Sequence, residues 1–139
     1  MIDEEIRLSL SKIWAKMRKD YSDALRAHQI HVGQDHALCQ LWMEDGVTQS
    51  QLCERMGCEP PTLTNMLKKL EEYGLVNRKQ DASDARISRV FLTEQGRALE
   101  QPVLEIWRSH QDKLLNGINT EERLLLRRLL QQMDRNLNE

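Results

Sequence analysis

The 139-residue chain has few aromatic residues, prolines and cysteines, and no long uninterrupted apolar segment. Aromatic residues make up 4% of the sequence, so Leu, Ile, Val and Met must form most of the hydrophobic core. No apolar run approaches the roughly 20 residues that a membrane-spanning helix requires. The amino terminus places acidic residues before any basic one and lacks the apolar stretch of a signal peptide. A cytoplasmic protein is therefore expected.

The three cysteines are an odd number, spread through segments that have helical patterns. Such a set does not resemble the disulfide framework of a small secreted domain. Cys39, Cys53 and Cys58 are expected to be reduced thiols, buried or half-buried, that serve as packing residues. A redox role, which requires an activated thiolate, is the alternative.

Charge gives a local rather than a global indication of a binding partner. The net charge is −2 and the pI is about 6.1, so any nucleic-acid-binding surface must be confined to one region. Residues 62–89 carry six basic and four acidic residues and are net positive, whereas the rest of the chain is net negative. The basic residues are Lys68, Lys69, Arg78, Lys79, Arg86 and Arg89.

Apolar residues spaced three and four apart predict a long helix at each end of the chain. Asp3 is the predicted N-cap of the first helix, and Asn119 or Thr120 caps the last. A second helix opens at Gln34 or Asp35. The apolar stripes consist of Ile6, Leu10, Ile13, Trp14, Met17, Tyr21 and Leu25 in the first helix, and of Leu126, Leu129, Leu130, Met133 and Leu137 in the last.

Two short helices in the middle of the chain predict a helix-turn-helix. Thr48 lies three residues before Gln51, which is the spacing of a capping box. Gly57 ends this helix, and Pro60 and Pro61 open the next one, where proline loses no needed hydrogen bond.

A change to short, β-branched segments after the second of these helices predicts a β-hairpin. Residues 75–79 and 87–92 form its strands, and the polar residues 80–86 form a long tip. Thr93 then caps a long helix that Pro102 should bend or loosen in its first turns.

The predicted fold class is mainly α with a small β-hairpin wing: a winged helix-turn-helix flanked by long dimerisation helices. Residues 1–32 are the N-terminal dimerisation helix, 33–93 the DNA-binding lobe and 94–139 the C-terminal dimerisation helices of one domain. The terminal helices must bury their apolar stripes, and a second copy of the chain is the economical partner.

Residues 48–96, about a third of the chain, resemble the MarR family of bacterial regulators. The matching pieces are LCERMG, TLTNMLKKLEEYGLV, Asp84-Ala85-Arg86, and Leu92-Thr93 followed by Gly96. The resemblance implies a homodimer, held by its terminal helices, whose two winged lobes read a palindromic operator in double-stranded DNA. It also implies a repressor that a small molecule relieves.

In a helix-turn-helix, the second helix enters the major groove with its amino-terminal residues at the base edges. Thr62, Thr64 and Asn65 are the candidate base-reading residues. Lys68 and Lys69 are candidate phosphate contacts, with an ordinary solvated helix face as the alternative.

Arg86, at the hairpin tip, suits a narrow minor groove, where the potential is most negative. The resemblance implies that Asp84 orients its guanidinium; an ordinary surface ion pair is the alternative. Arg78 and Arg89 are candidate phosphate contacts or partners of Asp81.

A small aromatic effector is a possible second partner. The candidate pocket residues are Met17, Tyr21, His36, Cys39, Trp42, Met43 and Trp107. Core and interface structure without a ligand is one alternative. A metal site, zinc by resemblance to some family members, is another, with His28, His31, His36 and His110 as weak candidates.

The predicted function is a sequence-specific DNA-binding transcription regulator without a cofactor. No phosphate-binding loop, carboxylate pair or nucleophile–base set indicates an enzyme. The remaining alternatives are a winged-helix protein-interaction module and a zinc-responsive regulator of the same fold.

Overall fold

A computed structural model describes residues 1–139 as seven helices and one two-stranded sheet. The helices are α1 Ile2–Arg26, α2 Gln34–Met43, α3 Gln49–Met56, α4 Pro60–Glu72, α5 Glu94–Ala98, α6 Glu100–Leu114 and α7 Thr120–Leu137. The strands are β1 Val76–Gln80 and β2 Ser88–Leu92. Residues 1–107 and 108–139 form two compact units. No helix is both long and apolar enough to cross a membrane.

The hydrophobic core of the first unit is built from α1, α2, α3, α4, the hairpin and the start of α6. It contains Leu25, Ile30, Ala37, Leu38, Leu41, Val47, Leu52, Leu63, Leu67, Leu70, Leu75, Val76, Val90, Leu92 and Val103. None of these side chains is aromatic, as the composition predicted. The core therefore rests on the close packing of aliphatic side chains.

Helix α1 begins two residues earlier than the sequence pattern indicated. Met1 is its N-cap, so the prediction that Asp3 caps the helix is wrong. Asp3 lies inside the first turn, where its negative charge still favours the helix dipole. Of the whole helix only Leu25 is buried.

The helix-turn-helix forms from local signals in the sequence. The Thr48 hydroxyl accepts from the Gln51 N–H while the Gln51 side chain accepts from the Thr48 N–H, which confirms the capping box. Gly57 ends α3 with φ of 65°, a left-handed conformation that glycine adopts without steric cost. Pro60 and Pro61 then form the first turn of α4.

The hairpin pairs Val76 with Leu92 at one end and Gln80 with Ser88 at the other, in antiparallel register. Its base is tied to the loop after α2 through Asp45. The Asp45 carboxylate accepts from the Leu92 N–H at 2.8 Å and from the Arg97 guanidinium at 2.6 Å. The wing is thus held by polar contacts as well as by its buried apolar residues.

The predicted long helix after Thr93 is divided in two at Leu99. Thr93 caps α5 by accepting from the Gly96 N–H, as predicted. The division lies three residues before Pro102, which has no N–H to donate and whose ring crowds the carbonyl four residues earlier. Asn119 caps α7 in a reciprocal capping box with Glu122, and no residue of α7 is buried. Together, the helices and the hairpin form the winged helix-turn-helix fold that the sequence predicted.

Candidate DNA-binding surface

Helix α4 divides into a buried and an exposed face. Leu63, Leu67 and Leu70 are buried in the core at helical spacing. The polar candidates Thr62, Thr64, Asn65, Lys68 and Lys69 are all exposed. The packing of α4 therefore fixes its rotation about its own axis and leaves every predicted DNA-contacting residue of this helix accessible.

The Thr64 hydroxyl is already engaged within the helix-turn-helix. It donates to the Pro60 carbonyl at 2.9 Å and accepts from the Gln49 side-chain amide at 2.9 Å. This side chain thus links the start of α3 to the first turn of α4, and its methyl group is the part left for an apolar contact. The sequence pattern did not reveal Gln49, because nothing local to that residue indicates a partner 15 positions away.

The tip of the wing, residues 81–87, is organised by Asp81. Its carboxylate accepts from the N–H groups of Ser83 at 3.0 Å and Asp84 at 3.1 Å. It also accepts from the Arg89 guanidinium at 2.6 Å. These hydrogen bonds, the one from Arg89 foremost, lower the pKa of Asp81. The tip is therefore a structured turn rather than a free loop.

Arg86 extends from this tip with 90% of its side chain exposed. The Asp84 carboxylate accepts from the Arg86 N–H, Nε and Nη2, each at 3.0 Å. The side-chain hydrogen bonds are the main reason that the pKa of Asp84 is lowered and that of Arg86 raised. A surface ion pair of this kind adds little to folding stability. Its effect is to orient a cation that remains open to solvent.

The two arginines of the wing strands are both occupied within the fold. The Glu71 carboxylate accepts from the Arg78 guanidinium and from the Arg78 N–H, each at 3.1 Å, and these bonds lower the pKa of Glu71. Arg89 donates to Asp81 and, at 2.9 Å, to the Gly46 carbonyl. The predicted partnership with Asp81 is thus confirmed for Arg89 and wrong for Arg78, whose partner lies on α4.

A cavity of about 530 Å³ separates the wing tip from the start of α3. It is lined by five polar residues and one apolar residue: Thr48, Gln49, Ser50, Arg86, Ser88 and Ile87. The amino-terminal end of α3 carries backbone N–H groups and a partial positive charge. The cavity therefore places this end of α3 and the Arg86 cation beside one another.

The predicted effector residues gather in part around a buried carboxylate. Asp35, 1% exposed, accepts from the Trp107 indole N–H at 3.0 Å and from the Gly33 N–H at 2.9 Å. His36 stacks on Trp107 with 5.6 Å between the ring centroids. Burial, followed by the charge of Asp35, raises the pKa of both Tyr21 and Cys39.

The other three effector candidates are Trp42, Met43 and Met17. The Trp42 indole donates to the Gly96 carbonyl at 2.9 Å, so its polar atom is used within the fold. Met43 is 76% exposed at the end of α2, and Met17 is half-buried in α1. His28, His31, His36 and His110 are not part of any group of three or more His, Cys, Asp or Glu side chains that could hold a metal ion.

Comparisons with known proteins point to one family. The profile of the MarR family matches residues 30–88, which include the helix-turn-helix and the wing tip. A MarR transcriptional regulator from Methanosarcina mazei Go1 is 26% identical, with a TM-score of 0.83 over 97% of this chain and 98% of that one. S. aureus MepR, solved as a complex with DNA, is 26% identical, with a TM-score of 0.86 over 91% of this chain and 94% of that one. Reduced AbfR bound to DNA is 24% identical, with a TM-score of 0.76 over 99% and 96%.

The hydrogen bonds of the wing tip predict a specific response to the loss of Arg86. In Arg86→Ala, the pKa of Asp84 should rise toward the ordinary value of about 3.9, because the guanidinium no longer stabilises the carboxylate. The pKa of Asp81 should remain low, because its partners Arg89 and Ser83 are retained. Titration of the side-chain carboxyl carbons by NMR measures both values.

The lowered pKa values of Asp81 and Asp84 also determine how the stability of the wing depends on pH. Because the folded protein lowers the pKa of Asp81 and Asp84, their hydrogen bonds stabilise the wing above about pH 4. That stabilisation is lost as the pH falls through the folded-state pKa values. An Asp84 pKa that is the same in the parent and in Arg86→Ala would contradict the described contact.

Proposed function

We propose that this chain is a DNA-binding transcription regulator of the MarR family, whose profile matches residues 30–88, and that it represses transcription by binding a palindromic operator as a homodimer. The observation that carries this proposal is the pairing of an exposed, polar amino-terminal half of α4 with a pre-oriented arginine on the wing. The two elements suit adjacent grooves of one DNA duplex. A cytoplasmic location is part of the proposal.

We propose that α4 lies in the major groove. Asn65 suits bidentate pairing with adenine, and Thr62 suits a base edge or the methyl group of thymine. The Thr64 methyl is available for a similar apolar contact, since its hydroxyl is bound to Pro60 and Gln49. Lys68 and Lys69 follow along the exposed face and suit phosphates, which contribute affinity without sequence information.

Arg86 is proposed to enter the minor groove next to the base pairs that α4 of the same chain contacts. Its bidentate bond to Asp84 limits the rotamers of the guanidinium and so reduces the entropy that DNA binding would otherwise cost. Arg78 and Arg89 are proposed to act by holding the wing, because their guanidinium groups already bond to Glu71, Asp81 and the Gly46 carbonyl. The amino-terminal end of α3 faces the same cavity and suits a backbone phosphate.

The homodimer is proposed from apolar residues that the single chain leaves in water. They are Ile2, Ile6, Leu8, Leu10, Ile13 and Trp14 in α1, and Leu124, Leu125, Leu129, Leu130 and Leu137 in α7. Exposed apolar surface of this extent is typical of a protein–protein interface. Residues 1–32 and 94–139 are accordingly proposed to carry the dimer contacts, and 33–93 the DNA contacts.

Sedimentation at micromolar concentration tests the dimer and should give twice the 16.3 kDa mass of the chain. The midpoint of thermal unfolding should rise with protein concentration, because subunit association is part of folding. Leu129→Glu in α7 and Leu8→Glu in α1 should each weaken both effects, because both side chains belong to the proposed interface. A mass of one chain at all concentrations would contradict the proposal.

Relief of repression is proposed to come from a small aromatic acid or phenol bound near Trp107. The support is the set of half-buried side chains, Tyr21, Cys39 and Trp107, around the buried Asp35 carboxylate. The fluorescence of Trp107, with the other two tryptophans replaced by Phe, reports such binding. A ligand that quenches it without lowering operator affinity would rule out an effector role.

Arg86→Ala provides the sharpest test of the wing. The substitution should weaken operator binding by about 1–3 kcal/mol, with the larger loss on A·T-rich flanks, whose narrow groove attracts the cation most strongly. Stability should change by less than about 0.5 kcal/mol, because the side chain covers no core residue. Fluorescence anisotropy with operators that carry A·T-rich or G·C-rich flanks measures the loss of affinity.

Lys68→Ala is the matched control, since it removes a cation that is proposed to contact only phosphate. It should weaken binding to all DNA sequences by a similar factor. It should also reduce the steepness of log affinity against log salt concentration by about one unit. If Arg86→Ala binds A·T-rich operators as tightly as the parent while the dimer stays intact, the wing does not read the minor groove.

A further inference from the structure

Cys53 and Cys58 are brought together by the way α3 ends. Gly57, in the left-handed conformation, donates its N–H to the Cys53 carbonyl at 3.0 Å. In this type of helix C-cap, the residue after the glycine turns back and contacts the residue that lies five positions before it. Those two positions are occupied here by Cys58 and Cys53.

A hydrogen bond joins the Cys53 side chain to the backbone of Cys58. The Cys53 thiol donates to the carbonyl oxygen of Cys58, with Sγ and O 3.0 Å apart. Only three bonds separate that oxygen from the Cβ atom of Cys58, so the two thiols are neighbours. The Cys58 thiol also affects the titration of Cys53, whose pKa is raised first by burial and then by Cys58.

Both thiols are accessible to a small reactant. Each is half-exposed, and both line a cavity of about 500 Å³ that extends to Ser50, Pro60 and Leu63. Cys39 lies in α2 beside the buried Leu38 and Leu41 and does not line this cavity. The chain therefore contains one paired, accessible dithiol and one separate cysteine.

We propose that Cys53 and Cys58 form a redox-active dithiol, which a low-molecular-weight disulfide converts into an intramolecular disulfide that weakens operator binding. The effect on DNA rests on the function proposed above. The dithiol chemistry does not, because it depends only on the two side chains and the oxidant.

The reaction proceeds by two thiol–disulfide exchanges. The Cys58 thiolate attacks one sulfur of the oxidant, which forms a mixed disulfide and releases one thiol. The Cys53 thiol then loses its proton, and its sulfur displaces the second thiol from Cys58. Two electrons and two protons pass from the protein to the oxidant. Cys58 reacts first because the Cys53 proton is retained in the hydrogen bond to the Cys58 carbonyl.

Disulfide formation would act directly on the recognition helix. The sulfur atoms must approach to about 2.05 Å, well inside non-bonded contact, and Cys58 must move toward α3. Cys58 is two residues before Pro60, where α4 begins. The displacement is therefore transmitted to the amino-terminal turn of α4, which carries Thr62.

The experiment treats the full-length protein with oxidised glutathione and follows both the disulfide and the operator affinity. Trypsin cuts after Arg55, between the two cysteines, so a Cys53–Cys58 bond joins the peptides 27–55 and 56–68. Because the first peptide also contains Cys39, the mapping is done in Cys39→Ser. The linked pair should appear with the loss of two hydrogens, operator affinity should fall about tenfold or more, and dithiothreitol should restore it.

Serine variants provide the controls. Cys53→Ser and Cys58→Ser, checked for folding by circular dichroism, should bind operator like the reduced parent and should not respond to the oxidant. Cys39→Ser should respond as the parent does. Absence of the linked peptides, a bond formed only between two chains, or a linked pair with unchanged affinity would each overturn the proposal. If the reduced protein binds no operator, the function proposed above fails, while the peptide map still tests the dithiol.

Discussion

Burial of one face of α4 is the constraint on which the rest of the DNA-binding surface depends. Each of Leu63, Leu67 and Leu70 contributes about 1.5–3 kcal/mol when it is removed from water. A surface ion pair such as that of Arg86 and Asp84 contributes about 0–1 kcal/mol. The apolar contacts therefore decide which way α4 faces, and the ion pairs can only adjust side chains on a surface that the core has already set.

The wing depends on the same core but needs polar support. A hairpin of two short strands is at best marginally stable alone in water. Val76, Val90 and Leu92 anchor its base in the core, while Asp45 holds the β2 end. Asp81 then shapes the tip from which Arg86 extends. Some polar groups that the sequence suggests as DNA contacts, such as Arg78 and Arg89, thus serve instead to hold the wing from which Arg86 extends.

The sequence predicted the features that depend on neighbouring residues. The capping box at Thr48, the end of α3 at Gly57 and the cap at Thr93 each involve residues within a few positions, and all three were predicted correctly. Asp3 was assigned to the wrong position because an acidic residue is favourable both as an N-cap and within the first turn. The division of the helix at Leu99 follows from Pro102, although the sequence could not say whether the proline would bend that helix or break it.

The site contacts that escaped prediction join residues distant in the sequence. Arg78 pairs with Glu71 and not with Asp81 because the hairpin lies against α4, a fact of tertiary packing. Gln49 reaches Thr64, and Trp107 reaches Asp35, across 15 and 72 positions. The neighbouring thiols of Cys53 and Cys58 could have been foreseen, since both positions belong to one helix C-cap. From the sequence, the two cysteines were expected to be separate packing residues, with a redox role as the alternative.

Selection of bound sequences from random double-stranded DNA, using the purified reduced protein, tests the central claim most directly. The claim is that two copies of α4 and two wings read one operator together. The result expected is a two-fold symmetric motif whose half-sites are centred about one helical turn, roughly 34–36 Å, apart. A preference for A·T pairs should lie next to each half-site, where Arg86 would enter the minor groove. A single asymmetric half-site, or no enriched sequence, would contradict the account.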